Sequence, residues 1–413
     1  MKFSSEVRSV EERAVGGIRQ MLMICALTVL TACGGGGGGG GGNNSVTVPP
    51  PVSTPTGANV VTLRVSGGPS GNINLPLITV QVCETTTPNP NCVTLNNVIV
   101  DTGSSGLRVV RSALGSLALQ NSVSGSPLYE CVRFADNTQA WGPVQIADVK
   151  IGGKTAGATR IQVLGDTQGF PEPSACGSSG ENLDNVAALG ADAILGVGYF
   201  TYDCGGFCSG ASNNQYFTCT LASCTSASAP LQNQVENPVA KFSGDNNGVI
   251  IQLPSVAPAG VASVEGSLIF GIDTQSNNAL GSATVFTADP IGHLNTTYHS
   301  VNYPRSFIDS GSNGLYFPNT DPATLPICVG RLTDFYCPLS TRNLSATLIG
   351  ANSVSSAIAF SVVNAQSLSS NIHVASTLAG VFPSGFDWGL PFFFGRRVYT
   401  AFETKLGGPY TAF

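Results

Sequence analysis

Two decapeptides, VIVDTGSSGL at residues 98–107 and SFIDSGSNGL at residues 306–315, share Asp, Gly, Ser, Gly and Leu in register. In each, an apolar run ends on an aspartate and passes into a small hydroxyl residue, Gly and Ser. That is a turn sequence whose backbone N–H groups can reach the carboxylate. One copy is a good turn and nothing more. Two copies, one in each half of a 413-residue chain, indicate a duplicated lobe, and the chain is long enough to bury two cores. If the lobes meet face to face, Asp101 and Asp309 converge, and two like charges at close range share one proton instead of both ionising. Such a pair can hold a water, one carboxylate acting as base and the other as acid. It hydrolyses an amide with neither a metal nor a covalent intermediate.

The rest of the chain suits that arrangement. Charged residues are only 10% against 42% hydrophobic, with 50 Gly and 25 Pro. Short apolar or alternating segments bounded by turn residues recur, among them NVVTLRVSG, LPLITVQVC, VQIADVKIGG, TRIQVLGD, GVIIQLP, GSLIFGID and RVYTAFE. They predict an all-β, bilobal protein with large loops and a cleft between two related β lobes. Residues 58–260 are expected to form the lobe carrying the first aspartate and 261–413 the lobe carrying the second. PSVAPAGVAS, which lacks periodicity, lies near the boundary. Residues from about 200 to 240, rich in Cys, Ser, Asn and Gln, read as an inserted surface excursion.

The N-terminus predicts export. MLMICALTVLTAC, residues 21–33, has an apolar core too short to span a bilayer, with Arg13 and Arg19 upstream. Its Leu-Thr-Ala-Cys ending resembles a bacterial lipobox, which makes residues 1–32 a signal peptide and Cys33 the lipidated residue. Gly34 in the next position hints at outer-membrane sorting. Nine glycines and a Pro-rich stretch follow, and residues 33–57 read as a flexible tether. With a formal net charge of −6 for the whole chain, nucleic acid is excluded as a partner. The partners expected are a peptide or protein substrate and, through Cys33, a membrane.

Ten cysteines remain beyond the signal, an even number in an exported chain, and disulfides are the expectation. Cys83 with Cys92 and Cys328 with Cys337 each flank a turn-rich loop that they would clamp. Cys204, Cys208, Cys219 and Cys224 have spacings unusual for zinc. No metal or other cofactor is expected. The three histidines, His293, His299 and His373, form no His-Glu-x-x-His pattern, and no Gly-x-Ser-x-Gly elbow is present. Trp141 and Trp388 read as buried core aromatics, and the run Phe392 to Phe394 as a core strand.

The paired motifs resemble those of pepsin-like aspartic peptidases, and the resemblance extends over roughly residues 58–413. ADAILGVGY at 191–199 is similar to the family's segment crossing behind the first aspartate. GSLIFGID at 266–273 resembles the hairpin opening the second lobe, and RRVYTAFE at 396–403 resembles its late strand. The resemblance implies that Asp101 and Asp309 are the catalytic pair. It implies crossed hydroxyl bonds from Thr102 and Ser310, backbone N–H groups from Gly103 and Gly311, and bonds from Ser104 and Ser312 to the outer carboxylate oxygens. It also implies an exported, membrane-tethered aspartic endopeptidase, with a catalytically inactive fold kept as a surface-binding lipoprotein as the alternative. The departures are specific. The flap hairpin matches CVRFADNTQAWG at 131–142, with Phe134 near the family's tyrosine. Arg108 stands where a supporting tryptophan is usual. LPFFFG puts Pro391 at an expected glycine and Phe392 near an expected aspartate. No prosegment is evident, since residues 43–57 read as linker.

Overall fold

A computed structural model describes residues 55–85, 90–177, 181–220 and 222–413. The expected signal peptide, Cys33 and nearly all of the expected tether lie outside the described residues. The chain is all-β, built as two β lobes on a shared backing sheet.

The first lobe is a sheet closed on itself. Strand Leu75–Cys83 pairs with Cys92–Asp101, which runs parallel to Ala193–Val197. The order continues through Ser105–Val110, Lys154–Leu164 and Gln139–Ile151, and the last returns to Leu75–Cys83. Closure removes free edges and gives the lobe one interior. Alternation sends Val98 and Val100 into that interior while Ile99 and Asp101 face the other way.

The second lobe repeats the central pairing. Strand Val301–Ile308 runs parallel to Asp387–Trp388, which lies antiparallel to Leu315–Phe317, itself parallel to Ala379–Val381. In the first lobe the corresponding run is Cys92–Asp101, Ala193–Val197, Ser105–Val110 and Lys154–Leu164. The duplication seen in ten residues of sequence is therefore a duplication of strand order. The strands Leu294–Tyr298, Arg342–Ile349 and Ser355–Val362 complete the second sheet.

Behind both lobes, Val60–Ser66, Val264–Phe270, Gly248–Gln252, Arg397–Ala401, Tyr410–Ala412 and Val285–Thr287 pair in that order. GSLIFGID and RRVYTAFE both belong to this backing sheet. A further lobe-to-lobe tie is Asn74, fully buried at φ 62°. Its side chain donates to Asn313 O at 2.7 Å and Ala375 O at 2.9 Å, and accepts from Ala375 N at 2.8 Å.

Five disulfides occur among the described residues: Cys83–Cys92, Cys131–Cys176, Cys204–Cys208, Cys219–Cys224 and Cys328–Cys337. The two loop clamps form as expected, and the four clustered cysteines pair with each other. Such a set marks an extracytoplasmic protein. The Cys83–Cys92 bridge spans a sequence separation of 9. Replacing both by serine is expected to cost about 2–3 kcal/mol, because the closed loop is short. A urea titration measures it, and a change below about 1 kcal/mol would mean the surrounding strands hold the loop without the bridge.

Two readings need correction here. Residues 200–240 are not a surface excursion. Strand Tyr216–Cys219 pairs with Leu128–Arg133 and extends the sheet of the first lobe, with Cys224–Ser226 outside it. Its aromatic residues Tyr216 and Phe217 are buried against Val144 and Trp141, which a polar composition concealed. Phe392 and Phe393 are buried as expected, but in a 3-10 turn, Leu390–Phe393, instead of a strand. Pro391 in its first turn favours that geometry, since the missing N–H has no partner to lose there.

Candidate active site

Each aspartate sits at the end of a core strand, where the turn after it leaves N–H groups free to bond the carboxylate. Gly103 N donates to Asp101 Oδ1 at 2.8 Å, and Gly311 N donates to Asp309 Oδ1 at 2.7 Å. The Ser104 hydroxyl donates to Asp101 Oδ2, and Ser312 Oγ donates to Asp309 Oδ2 at 2.9 Å. The two motifs are therefore alike in bonding as well as in sequence.

The hydroxyl residues cross between lobes. Thr102 Oγ1 donates to Ile308 O at 3.1 Å and accepts from Ser310 N at 2.9 Å. Ser310 Oγ donates to Val100 O at 2.7 Å and accepts from Thr102 N at 3.1 Å. Four bonds thus join two segments 208 residues apart, all of them buried. They fix the separation of the carboxylates instead of leaving it to lobe motion.

The glycines at 103 and 311 are required by proximity. A Cβ on Gly103 would fall 2.6 Å from Asp309 Cγ, and one on Gly311 would fall 2.8 Å from Asp101 Cγ. Each lobe's glycine lies against the other lobe's carboxyl, so alanine at either site would push the pair apart. Asp101 is 5% exposed. Burial, then the charges of Asp101 and Asp387, hold the Asp309 carboxyl well above the usual carboxylate range, and the two carboxyls of the pair lie within hydrogen-bonding reach. Two carboxyls this close oppose each other's ionisation, which favours one proton shared between them.

Behind each aspartate a glycine allows the crossing strand to approach. Gly196 lies opposite Asp101 in parallel pairing, and its Cβ would meet the backbone of Ser104 and Ser105. In the second lobe Asp309 N donates to Trp388 O at 3.1 Å and Leu390 N to Ser312 O at 2.7 Å. The residue between them is Gly389, where a Cβ would collide with Gly314 O. The glycine expected at Pro391 is therefore present two residues earlier. It was hidden because FDWG places an aspartate where AILG has isoleucine.

That aspartate, Asp387, escaped the sequence reading. It is 6% exposed, and burial and then the charges of Asp101 and Asp136 push its carboxyl well up, opposed by the Ser312 hydroxyl. An apolar-apolar-Gly search discards such a segment. Aligning the two crossing strands on their glycines would have found it.

The hairpin of Leu128–Arg133 and Gln139–Ile151 covers this face of the first lobe. Its turn is closed by Phe134 N donating to Thr138 O at 2.9 Å and Asn137 N donating to Phe134 O at 3.0 Å. Phe134 packs on the cluster that contains Ile99 and Ile194, the apolar residues on the aspartate's side of their strands. Asp136 at the tip acts electrostatically on Asp334, Tyr316 and Asp387 of the second lobe, so the tip lies near that lobe.

Arg108 occupies the position beneath the hairpin in full burial. It donates to Ser105 O at 2.8 Å, Glu130 Oε1 at 2.9 Å, Gln162 Oε1 at 3.1 Å and Asp203 Oδ2 at 3.2 Å. Tyr216 Oη donates to Asp203 Oδ1 at 2.6 Å, and Gln215 Nε2 to Asp203 Oδ2 at 3.0 Å. A charged network replaces the aromatic support that the resemblance implies, and the segment 200–240 supplies half of it. Trp141 and Trp388 are buried, as expected of core residues.

Among the described residues, no group of three His, Cys, Asp or Glu side chains is placed to hold a metal ion. A family model described as Protein of unknown function (DUF3443) matches residues 55–413. No curated protein matches the chain.

Proposed function

Given that the chain belongs to the DUF3443 family, whose description assigns no activity, we propose that it is a pepsin-like aspartic endopeptidase that hydrolyses peptide bonds with a water activated by Asp101 and Asp309. The observation that carries this reading is the crossed set of bonds between Thr102 and Ser310, which clamps two identically dressed carboxyls against each other's glycines. A structural role for either motif alone needs no such convergence.

In the proposed reaction the ionised carboxylate takes a proton from the water as its oxygen attacks the scissile carbonyl. The protonated carboxyl gives its proton to the carbonyl oxygen. The resulting diol collapses, the C–N bond breaks, and the leaving nitrogen takes up a proton returned through the dyad. The second lobe's repeat of the first supplies both partners of this exchange. Export, lipidation at Cys33 and an outer-membrane tether complete the proposal, and the disulfides support export.

The sign of the pH dependence follows from Asp309. Its pKa is raised, so the proton needed for general acid catalysis is present at low pH and lost as pH rises through that raised value. The test is to incubate the exported body with denatured protein substrates from acid to neutral pH. Cleavage is expected to be strongest in acid, to fall on the alkaline side and to be blocked by pepstatin.

A second reading, a pepsin-like fold kept as a binding module, draws on one observation. The hairpin is paired to Tyr216–Cys219 along one edge and bridged by Cys131–Cys176, which ties down an element that a peptidase must open for substrate. Absence of cleavage at every pH by protein shown to be folded would favour it.

A further inference from the structure

Asp387 and Tyr316 are paired in the second lobe, and the charges of Asp334 and of Asp136 on the hairpin tip act on that phenol. Asp387 pairs in parallel with Phe307 and in antiparallel with Tyr316. Directly paired residues project to one side of a sheet, and Phe307 shares its side with Asp309 two positions on. Asp387 and Tyr316 therefore lie on the side of the catalytic pair. In the first lobe the corresponding pairing is Ile194 with Ile99 and Arg108, and Ile194 belongs to an apolar cluster under Phe134. The duplicated lobes thus present isoleucine on one side of the cleft and a buried carboxyl on the other.

The carboxyl is short of donors. Asp387 Oδ1 is buried with no hydrogen-bond partner. The Ser312 hydroxyl is within reach, but its single proton goes to Asp309 Oδ2 at 2.9 Å. Tyr316 is equally unable to help, because its hydroxyl donates to Asn313 Oδ1. The charges that act most on that phenol are those of Asp387, Asp334, Asp136 and Asp309, all acidic. Asp136 comes from the hairpin, where its Oδ1 already accepts from Thr138 N at 2.9 Å and Thr138 Oγ1 at 2.7 Å. Acceptors of both lobes thus act on a buried carboxyl oxygen that lacks a donor, an arrangement that is costly until a donor with positive charge enters it.

We propose that Asp387, paired with Tyr316 and within electrostatic reach of the hairpin's Asp136, is the specificity subsite for a lysine or arginine side chain beside the scissile bond. A cationic head entering here donates to the unpartnered Oδ1 and compensates the charge that burial disfavours on the carboxyl. This deepens the peptidase reading and rests on it for the word scissile.

The test uses one peptide series, identical except for Lys, Arg, norleucine or Glu at a residue flanking the cleaved bond. It compares the wild type with Asp387→Asn and Asp387→Ile, the latter copying Ile194, after both variants are shown to melt cooperatively. The wild type is expected to favour Lys and Arg over norleucine by at least about 10-fold in kcat/KM, as unpaired buried polar groups discriminate strongly. Asp387→Ile is expected to reverse that order and Asp387→Asn to erase most of it. Cleavage by the wild type without preference for a cation overturns the subsite and leaves the peptidase standing. If nothing is cut, calorimetric titration with the same peptides decides. Tighter binding of the Lys peptide that Asp387→Ile abolishes supports the subsite while the peptidase reading fails. Binding indifferent to both changes overturns the two together.

Discussion

Asp101→Asn and Asp309→Asn are each expected to lower peptide hydrolysis by at least about 100-fold, the smaller end of what positioned acid–base groups contribute. Each removes one half of a proton exchange. Asn at 101 or 309 cannot pass a proton, while its amide keeps the shape of the carboxyl it replaces. The fold should survive both changes, because the bonds that join the lobes run through Thr102 and Ser310 and not through the carboxyls. For Asp309 the thermal midpoint should hold or rise. A raised pKa means that the ionised form is disfavoured in the folded protein, so removing the charge relieves a cost at neutral pH. The double variant should be no worse than either single one, as residues that act as a unit lose their effect together. Initial rates on one peptide, with melting curves for all three variants, check this. Residual activity within tenfold of wild type in either single variant would remove the dyad from the chemistry.

How much of this was legible in the sequence depended on what the residues say locally. The dyad was readable because the turn after each strand is written in the same residues, Asp, hydroxyl, Gly, Ser, and the duplication could be seen without alignment. Gly389 was missed because a glycine admitted for close packing has no local signature. What requires it is Gly314 O, in the bend before strand Leu315–Phe317, so its position is settled by tertiary contact. The segment 200–240 misled for a related reason. Its composition is polar, but the polar residues that matter, Asp203 and Gln215, are buried against Arg108. A lone buried arginine seldom announces its partners, and here they come from three separate stretches of chain. Asp387 was invisible because an acid in an apolar strand reads as a break in the pattern. It is instead a position where a local rule is broken beside a site, which is where such breaks are expected.

Arg108→Met is expected to destabilise the protein by about 3–5 kcal/mol, the cost of removing one partner from a buried ion network. Methionine keeps much of the volume of the arginine stem but leaves Glu130, Asp203, Gln162 and Ser105 O without their shared donor. The charges decide how the loss depends on pH. Burial first, and Asp203 beside it, push the Glu130 carboxyl up to about 8 against the pull of Arg108. Because the folded pKa exceeds the usual value of 4.5, the stability linked to that proton is fully present below about 4.5 and lost as pH rises through about 8. With Glu130 protonated, one arginine balances one aspartate, and the network is neutral. Above that range two carboxylates share one cation. The methionine variant has no cation to hold a second carboxylate, so its deficit should stay level through acid and neutral pH and grow once pH passes about 8, which urea titrations on either side of that value measure. Replacing Glu130 by Gln and Asp203 by Asn in the same variant should recover part of the loss, since no charge is then left buried alone. Glu130 lies on the strand that leads into Phe134 and Asp136, and Arg108 lies in the strand that follows the Asp101 turn. The network therefore sets the height of the hairpin above the dyad, in the place where an aromatic pair was expected to do so. A loss below about 1 kcal/mol, the value of an exposed ion pair, would show that the disulfide and the Tyr216–Cys219 pairing hold the hairpin without it.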